Sequence, residues 1–492
     1  MVQRIQAGVL SLLLFAATAA PAATRCDHIL QAFGGLLADA TCFESTDLTT
    51  KNPATTPANN SIAGLPAFAF TPFTDRGVIA PDPAHRTPIT KAVPGVQING
   101  RIAGDPQGQA RFLLRLPDDW NGRLVVAGAS GTRSEFNGDF AWSDYVVQKG
   151  YAYASQNKGV LNLKFSSSAD PLACRLNPAS PLFVHFYDND PGQEFTRWAQ
   201  FMAEGARLAR KGVRAHYGHR AHKTYAVGTS NGGYQVRRAV ESYPELFDGG
   251  VDWEGTEVQE VVPNILSDLA PAIKNYPDYV TSGFNQASTA AANIRAAGYP
   301  PDITKPSGPS TISFWGLYSG QFWEVTQCQW QKRLDPTYDT YVAGTGNYDY
   351  VARRATTNVG ENLEAFATTG RIKRPLITVA GTMDGLLPIQ NHARVYQRKV
   401  LAHQGDDEGE GEGDDHPAYR LYEVQNGNHI ETYQLLFPQL ELIEPHAQRA
   451  FDLLVDAVEN EAKLPPSQCV ARGGAIAGKP ALPGNCAALF VP

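Results

Sequence analysis

A basic excess, a C-x-x-C pair and an internal apolar run long enough to cross a bilayer are all missing from this sequence, and each absence excludes a class of function. The 42 Lys and Arg are outnumbered by 49 Asp and Glu, for a net charge of −7 and a pI near 5.9. Nothing supplies the cationic footprint of a nucleic-acid binder, so no nucleic-acid partner is expected. Without C-x-x-C spacing the cysteines point to neither a zinc site nor a thioredoxin-like redox pair. A membrane helix needs roughly 20 apolar residues, and no stretch reaches that length, so no membrane span is expected. Charged residues are also scarce, at 18%. In their place stand 45 glycines and 34 prolines among 492 residues, above the average of about 12% for the pair, which implies long, ordered loops. Since cores rarely grow past roughly 250–300 residues, the chain is expected to carry a main domain with a large insertion.

The first residues read as an export signal. Arg4 supplies a positive charge, residues 9–20 form a short apolar run, and Ala20-Pro-Ala22-Ala23 has the small-residue form that signal peptidase reads. Residues 1–23 are therefore expected to be removed and the protein to be secreted, extracellular or periplasmic. Six cysteines suit that compartment. The expected pairing is two local staples, Cys26–Cys42 and Cys469–Cys486, with Cys174–Cys328 joining distant segments.

Residues 24–95 are rich in Thr, Pro, Ala and Asn without periodicity and read as an irregular segment laid over the core. From 96 to 255 short apolar runs ended by turn residues alternate with helical patterns. Expected strands are 110–116, 123–127, 151–155, 223–228 and 249–253, with helices over 140–149, 192–216 and 232–243. The alternation stops over 256–370, a stretch heavy in aromatics, and resumes over 371–492 with strands 375–381 and 418–424 and helices near 389–402 and within 440–462. This is an α/β pattern: a mostly parallel sheet, helices on both faces, and a lid inserted between two halves of the sheet. The acidic run Asp406–Asp415 lies in a loop and lacks EF-hand spacing, so it reads as a solvated loop.

The chemistry-bearing feature is Tyr225-Ala-Val-Gly228-Thr-Ser230-Asn-Gly232-Gly233, a G-x-S-x-G between a strand and a helix. A sharp strand-to-helix turn pushes the serine out at the end of the sheet, and glycine two residues to either side relieves the crowding. The same glycines could form a dinucleotide-binding turn, with Asp252 at the ribose. The spacing G-x-x-x-G-G and the mid-chain position oppose that reading. A serine nucleophile needs a base and an orienting acid, in the order Ser, acid, His along this type of fold. Gly381-Thr-Met-Asp384 ends a late strand, which makes Asp384 the expected acid. Asn426-Gly-Asn-His429 follows the next strand, which makes His429 the expected base. Asp252 and Glu254 are alternative acids. His392, His403, His416 and His446 fall on expected helices or polar loops and read as surface residues. For the oxyanion, Asn231 after the nucleophile should give one backbone donor, and Ala129 or Ser130 in Ala127-Gly128-Ala-Ser-Gly131 the other. Trp315, Phe322 and Trp323 are expected to overhang the serine and contact substrate. No His/Cys/Asp cluster has ligand spacing, so neither a metal nor a cofactor is expected.

On these residues the chain, over roughly 100–460, resembles the α/β-hydrolase fold. Asp119-Trp-Asn-Gly-Arg-Leu-Val-Val-Ala-Gly followed by Lys149-Gly-Tyr-Ala-Tyr-Ala-Ser is similar to the opening of the tannase and feruloyl-esterase family. That family has cysteines beside its catalytic serine and histidine, where this sequence has Thr229 and Asn428. The Thr-Ser-Asn-Gly-Gly elbow resembles that of secreted hydroxybutyrate-oligomer hydrolases. Both resemblances imply cofactor-free hydrolysis of a small-molecule or polymeric ester. A peptidase or amidase would use the same three residues, and a binding protein on a degenerate scaffold is the reading from another class.

Overall fold

The computed structural model describes residues 24–56, 87–131, 135–160, 164–185, 194–406 and 417–492. The expected signal segment 1–23, nearly all of the acidic run and His416 lie outside the described residues. Ten strands form the main sheet: β1 (Leu37–Ser45), β2 (Gly95–Ile102), β3 (Arg111–Pro117), β4 (Arg123–Gly128), β5 (Ala152–Gln156), β6 (Lys223–Thr229), β7 (Gly249–Trp253), β8 (Leu376–Gly381), β9 (Tyr419–Val424) and β10 (Gln468–Val470). Their order is β1-β2-β3-β5-β4-β6-β7-β8-β9-β10. The pairs β1/β2, β2/β3 and β3/β5 are antiparallel and all later pairs parallel.

The helices that matter here are α1 (Arg25–Phe33), α2 (Glu194–Tyr217), α3 (Asn231–Ser242), α4 (Ile265–Thr281), α5 (Glu324–Leu334), α6 (Ala393–Asp406) and α7 (Glu444–Asn460). Strands covered on both sides read as unbroken apolar runs rather than as alternation, and β4 shows why. Leu124 and Val126 pack on one face with Met202, Val236 and Tyr396 from α2, α3 and α6. Val125 and Ala127 pack on the other with Phe451 and Leu454 of α7. Strand order, mixed outer edge and helices on both faces make this the α/β-hydrolase fold.

The segment 24–95 differs from expectation. It holds α1, closed by a Thr24–Asp27 capping box, and β1, which extends the sheet edge. Alternation in β1 is blurred because the strand is half exposed, so period alone could not reveal it. All three disulfides pair as expected. Cys469–Cys486 tethers the C-terminal tail to β10, a strand of three residues that carries no periodic signal of its own.

Strands β7 and β8 are hydrogen-bonded neighbours although more than a hundred residues separate them. The excursion between them holds α4, α5, several short helices and a hairpin. Its aromatics build a separate core with Trp198, Val184 and Cys174 from the first half of the chain. Among the described residues no helix is long and apolar enough to cross a membrane.

Candidate active site

Ser230 sits at φ 60°, ψ −123° between β6 and α3, a conformation costly for a side chain bearing a Cβ. Steric closeness accounts for the flanking glycines. A Cβ on Gly228 would lie 2.4 Å from the Gly232 carbonyl oxygen, and one on Gly232 would lie 2.6 Å from that of Gly128. The turn is held from β7, where the Trp253 carbonyl accepts the Ser230 N–H at 2.9 Å. Behind it, Arg237 of α3 is wholly buried and bridges Asp252 at 2.6 Å and Glu257 at 2.9 Å. Asp252 also accepts from the Gly255 N–H and the Thr378 hydroxyl. It is therefore a structural anchor beneath the turn, remote in role from His429.

Ser230 Oγ is 3.0 Å from Nε2 of His429, and Nδ1 of that ring is 2.8 Å from Oδ2 of Asp384. The other Asp384 oxygen accepts the N–H groups of Leu386 and Leu387 at 2.8 and 2.7 Å, which fixes the carboxyl plane. Asp384 and His429 stand at the C-terminal ends of adjacent parallel strands, β8 and β9, so the sheet register brings them together across 45 residues. Ser230 is 8% exposed and the His429 side chain 6%, leaving a narrow opening onto the serine. Among the described residues, the one set of three His, Cys, Asp or Glu whose ligand atoms approach within 4.8 Å is Glu254, Asp384 and His429. Both ring nitrogens there already face hydrogen-bond partners, Ser230 and Asp384.

Other expected site residues sit differently. The Ala129 N–H donates to Gln235 Oε1 at 2.9 Å, and the Ser130 N–H to Asn137 Oδ1 at 2.8 Å. Neither backbone donor is turned toward Ser230, because buried amide side chains hold both. Asn231 opens α3, one residue before the expected start, and its side chain accepts from the Thr256 hydroxyl. Trp315 and Trp323 are fully buried and Phe322 nearly so. The Trp315 indole donates to the Pro300 carbonyl and the Trp323 indole to that of Gly385, next to Asp384. These rings build the core of the inserted segment, Trp323 reaching the loop that carries Asp384, and being buried they present no open wall over the serine. His392 is buried, not on the surface. Its Nδ1 accepts the Glu257 N–H, and burial pushes its pKa down to about 3, so it is neutral. His446 is half-buried and pushed down to about 4 for the same reason.

Two groups at the site escaped sequence reasoning. Lys158, buried and at φ 63°, donates from Nζ to the carbonyls of Ala129 and Ser130 at 2.8 and 3.0 Å and to that of Gly131. A cation capping three successive carbonyls stiffens the loop beside the nucleophile turn. Tyr318 of the inserted segment donates its hydroxyl to Asn428 Oδ1, directly before His429. A lone Lys and a lone Tyr carry no motif, so only contact reveals them.

Residues 336–489, which include Asp384 and His429, match the family model of the 3HB-oligomer hydrolases. The chain is 26% identical over 175 residues to mono(2-hydroxyethyl) terephthalate hydrolase of Piscinibacter sakaiensis, covering 34% of this chain and 28% of that protein. It is 30% identical over 134 residues to D-(-)-3-hydroxybutyrate oligomer hydrolase of Burkholderia thailandensis, covering 25% and 18%. The matches thus span less than a third of either relative. Among solved structures, tannin acyl hydrolase of Aspergillus niger aligns over 89% of this chain and 88% of its own, at 13% identity and TM-score 0.46. The chain is an α/β-hydrolase-fold protein, as its own sheet topology establishes, with a C-terminal third similar to the 3HB-oligomer hydrolases.

Proposed function

We propose that this protein is a secreted serine hydrolase of carboxylic esters that works through an acyl-enzyme. The observation that carries the reading is the unbroken chain from Ser230 Oγ to His429 Nε2 and from Nδ1 to Asp384. In the first half-reaction His429 takes the serine proton as Oγ attacks the ester carbonyl, then returns it to the departing alcohol. In the second, it activates water against the acyl-serine. Asp384 holds the ring tautomer that presents a lone pair to the hydroxyl and stabilises the imidazolium. Negative charge on the carbonyl oxygen develops at the N-terminus of α3, where the Asn231 N–H and the helix dipole favour it. For Ala129 to add a second donor, its N–H must exchange Gln235 for the substrate oxygen.

Aromatic or phenolic esters and hydroxyalkanoate oligomers are the substrate classes to test, the relatives being named for a terephthalate ester and for hydroxybutyrate oligomers. Export is supported by the leader-like start and three disulfides. The test is a fluorophosphonate probe with turnover of p-nitrophenyl butyrate, a phenolic ester and a 3-hydroxybutyrate oligomer. Labelling at Ser230 alone, abolished in Ser230→Ala along with turnover, is expected. Labelling elsewhere, or turnover by the variant, overturns the reading.

A further inference from the structure

Glu254 follows β7 at φ 51°, a left-handed backbone that a glutamate adopts at a cost. Its N–H donates to the Val379 carbonyl at 2.8 Å, and its Oε1 accepts the Gly381 N–H at 3.0 Å, so backbone and side chain are both clamped to β8. The result aims Oε2 at the ring already bound by Asp384. That oxygen lies 3.5 Å from His429 Nδ1, is shut off from solvent, and makes no hydrogen bond of ordinary geometry, the Trp253 side chain being only a weak neighbour of the carboxyl. A buried carboxyl oxygen left unpaired in a clamped, strained conformation is expensive. Nothing about sheet formation asks for it, since Asp252, two residues earlier, already anchors the turn.

We propose that Glu254 is a second acidic positioning partner of His429, standing behind Asp384 on the same ring nitrogen and able to take its place. The inference rests on His429 serving Ser230 as base. The charge balance explains how two acids share one ring. Burial, and then the neighbouring Asp384 carboxylate, push the Glu254 carboxyl well above the usual range; buried Glu431 adds to the push, and the Gly381 N–H and the Trp253 side chain oppose it. Of two adjacent carboxyls only one ionises near neutral pH, and the second gives up its proton only at alkaline pH. With Asp384 ionised and bonded to Nδ1, Glu254 keeps its proton and completes the wall of the site as a neutral acid. Tyr318 also faces this cluster, and its own phenol is pushed well up by burial and by Asp384. It therefore contributes no charge. If Asp384 is lost, its repulsion goes with it and burial alone still holds the Glu254 carboxyl up, so Glu254 ionises at a lower pH than before though still above the usual range. The carboxyl releases its proton to solvent, and the 3.5 Å gap closes by a fraction of an ångström to a hydrogen bond with Nδ1–H.

The experiment compares wild type, Glu254→Gln, Asp384→Ala and the double variant. It reads p-nitrophenyl butyrate turnover and the rate of fluorophosphonate labelling across pH, with thermal melts to establish folding. In a serine hydrolase with a single acid, losing that acid costs about 10⁴-fold in kcat. Here Asp384→Ala should lose only about 10²-fold, with its profile displaced to alkaline pH because Glu254 must first ionise. Adding Glu254→Gln should remove about another 10²-fold and the displacement. Glu254→Gln alone, isosteric with the protonated acid, should lose less than tenfold. It should also lack the rise at alkaline pH that a second charge beside Nδ1 gives the wild type, a readout that stands even if Asp384→Ala fails to fold. An Asp384→Ala variant as inactive as the double, or alkaline profiles that coincide in wild type and Glu254→Gln, overturns the proposal. Wild type labelled at Ser230 in that same experiment leaves the nucleophile assignment standing, whereas unlabelled wild type removes that assignment first.

Discussion

The sheet and the inserted segment solve the same problem, burying apolar surface, by opposite means. In the sheet, Val125 and Val126 or Val227 and Val251 fill their places by strand geometry, with neighbours set by register and helices above and below. Between β7 and β8 the core is made of rings meeting edge to face, such as Trp315 on Tyr279 with centroids 5.0 Å apart and Trp323 on Tyr299 at 5.2 Å. Regular register fixes where Ser230, Asp384 and His429 emerge. The aromatic cluster fixes how firmly two of them are held, through Trp323 to Gly385 and Tyr318 to Asn428. The chemistry is proposed to reside on the sheet, and the insertion to set its rigidity.

The largest effect that would sharpen this contrast belongs to the sheet side. Ser230→Ala should lower ester turnover by about 10⁶-fold while the melting temperature stays near that of wild type, since the side chain makes no contact essential to packing. Next comes the insertion. Trp323→Ala removes a fully buried indole and should cost about 3–5 kcal/mol of stability. It should also lower kcat, because the Gly385 carbonyl loses its donor beside Asp384. A variant destabilised to that degree with wild-type kcat would show that the aromatic core only supports itself. Replacing Cys174 and Cys328 together with alanine should cost about 2–4 kcal/mol, the cross-link closing a loop of 154 residues. The loss should fall on the insertion, read as faster hydrogen exchange in α5 with β6 and β8 protected as before.

The smallest effect is a pH slope. Burial of Asp268 in α4 pushes its carboxyl up to about 8, against about 4 in an unfolded chain. Between those values the folded state holds a proton that the unfolded state has lost, so stability attributable to this group falls as pH rises toward 8. His392, whose Nε2 lies 3.6 Å from Asp268, is neutral throughout this range. Melting temperature should therefore decline from pH 6.5 to 8 in wild type and decline less in Asp268→Asn. Equal slopes would remove Asp268 as the cause.

Much of the site was legible because strand ends are legible. An apolar run ended by glycine announces a buried parallel strand, and reactive residues placed just beyond such runs come together once the strands are neighbours. The meeting of Ser230, Asp384 and His429 was readable in this way, as was every central strand from β3 to β9, whereas the disulfide pairs rested on the export reading rather than on strand ends. The outer strands β1, β2 and β10 were not, β1 being half exposed, β2 interrupted by Asn99-Gly100-Arg101, and β10 three residues long. What the tertiary structure alone decided was the use made of polar groups with no local pattern. Asp252 and Glu254 are two residues apart at the end of one strand. The pleat alone would put both on one face, and it is the left-handed turn at Glu254, just past the strand, that leaves Asp252 under Arg237 and swings Glu254 toward His429. The amide groups of Ala129 and Ser130 look available in sequence and are occupied by Gln235 and Asn137 in space. Period and spacing follow from backbone geometry and so are written along the chain. Which partner satisfies a buried polar group depends on every element packed around it, and that is settled only when the chain has closed on itself.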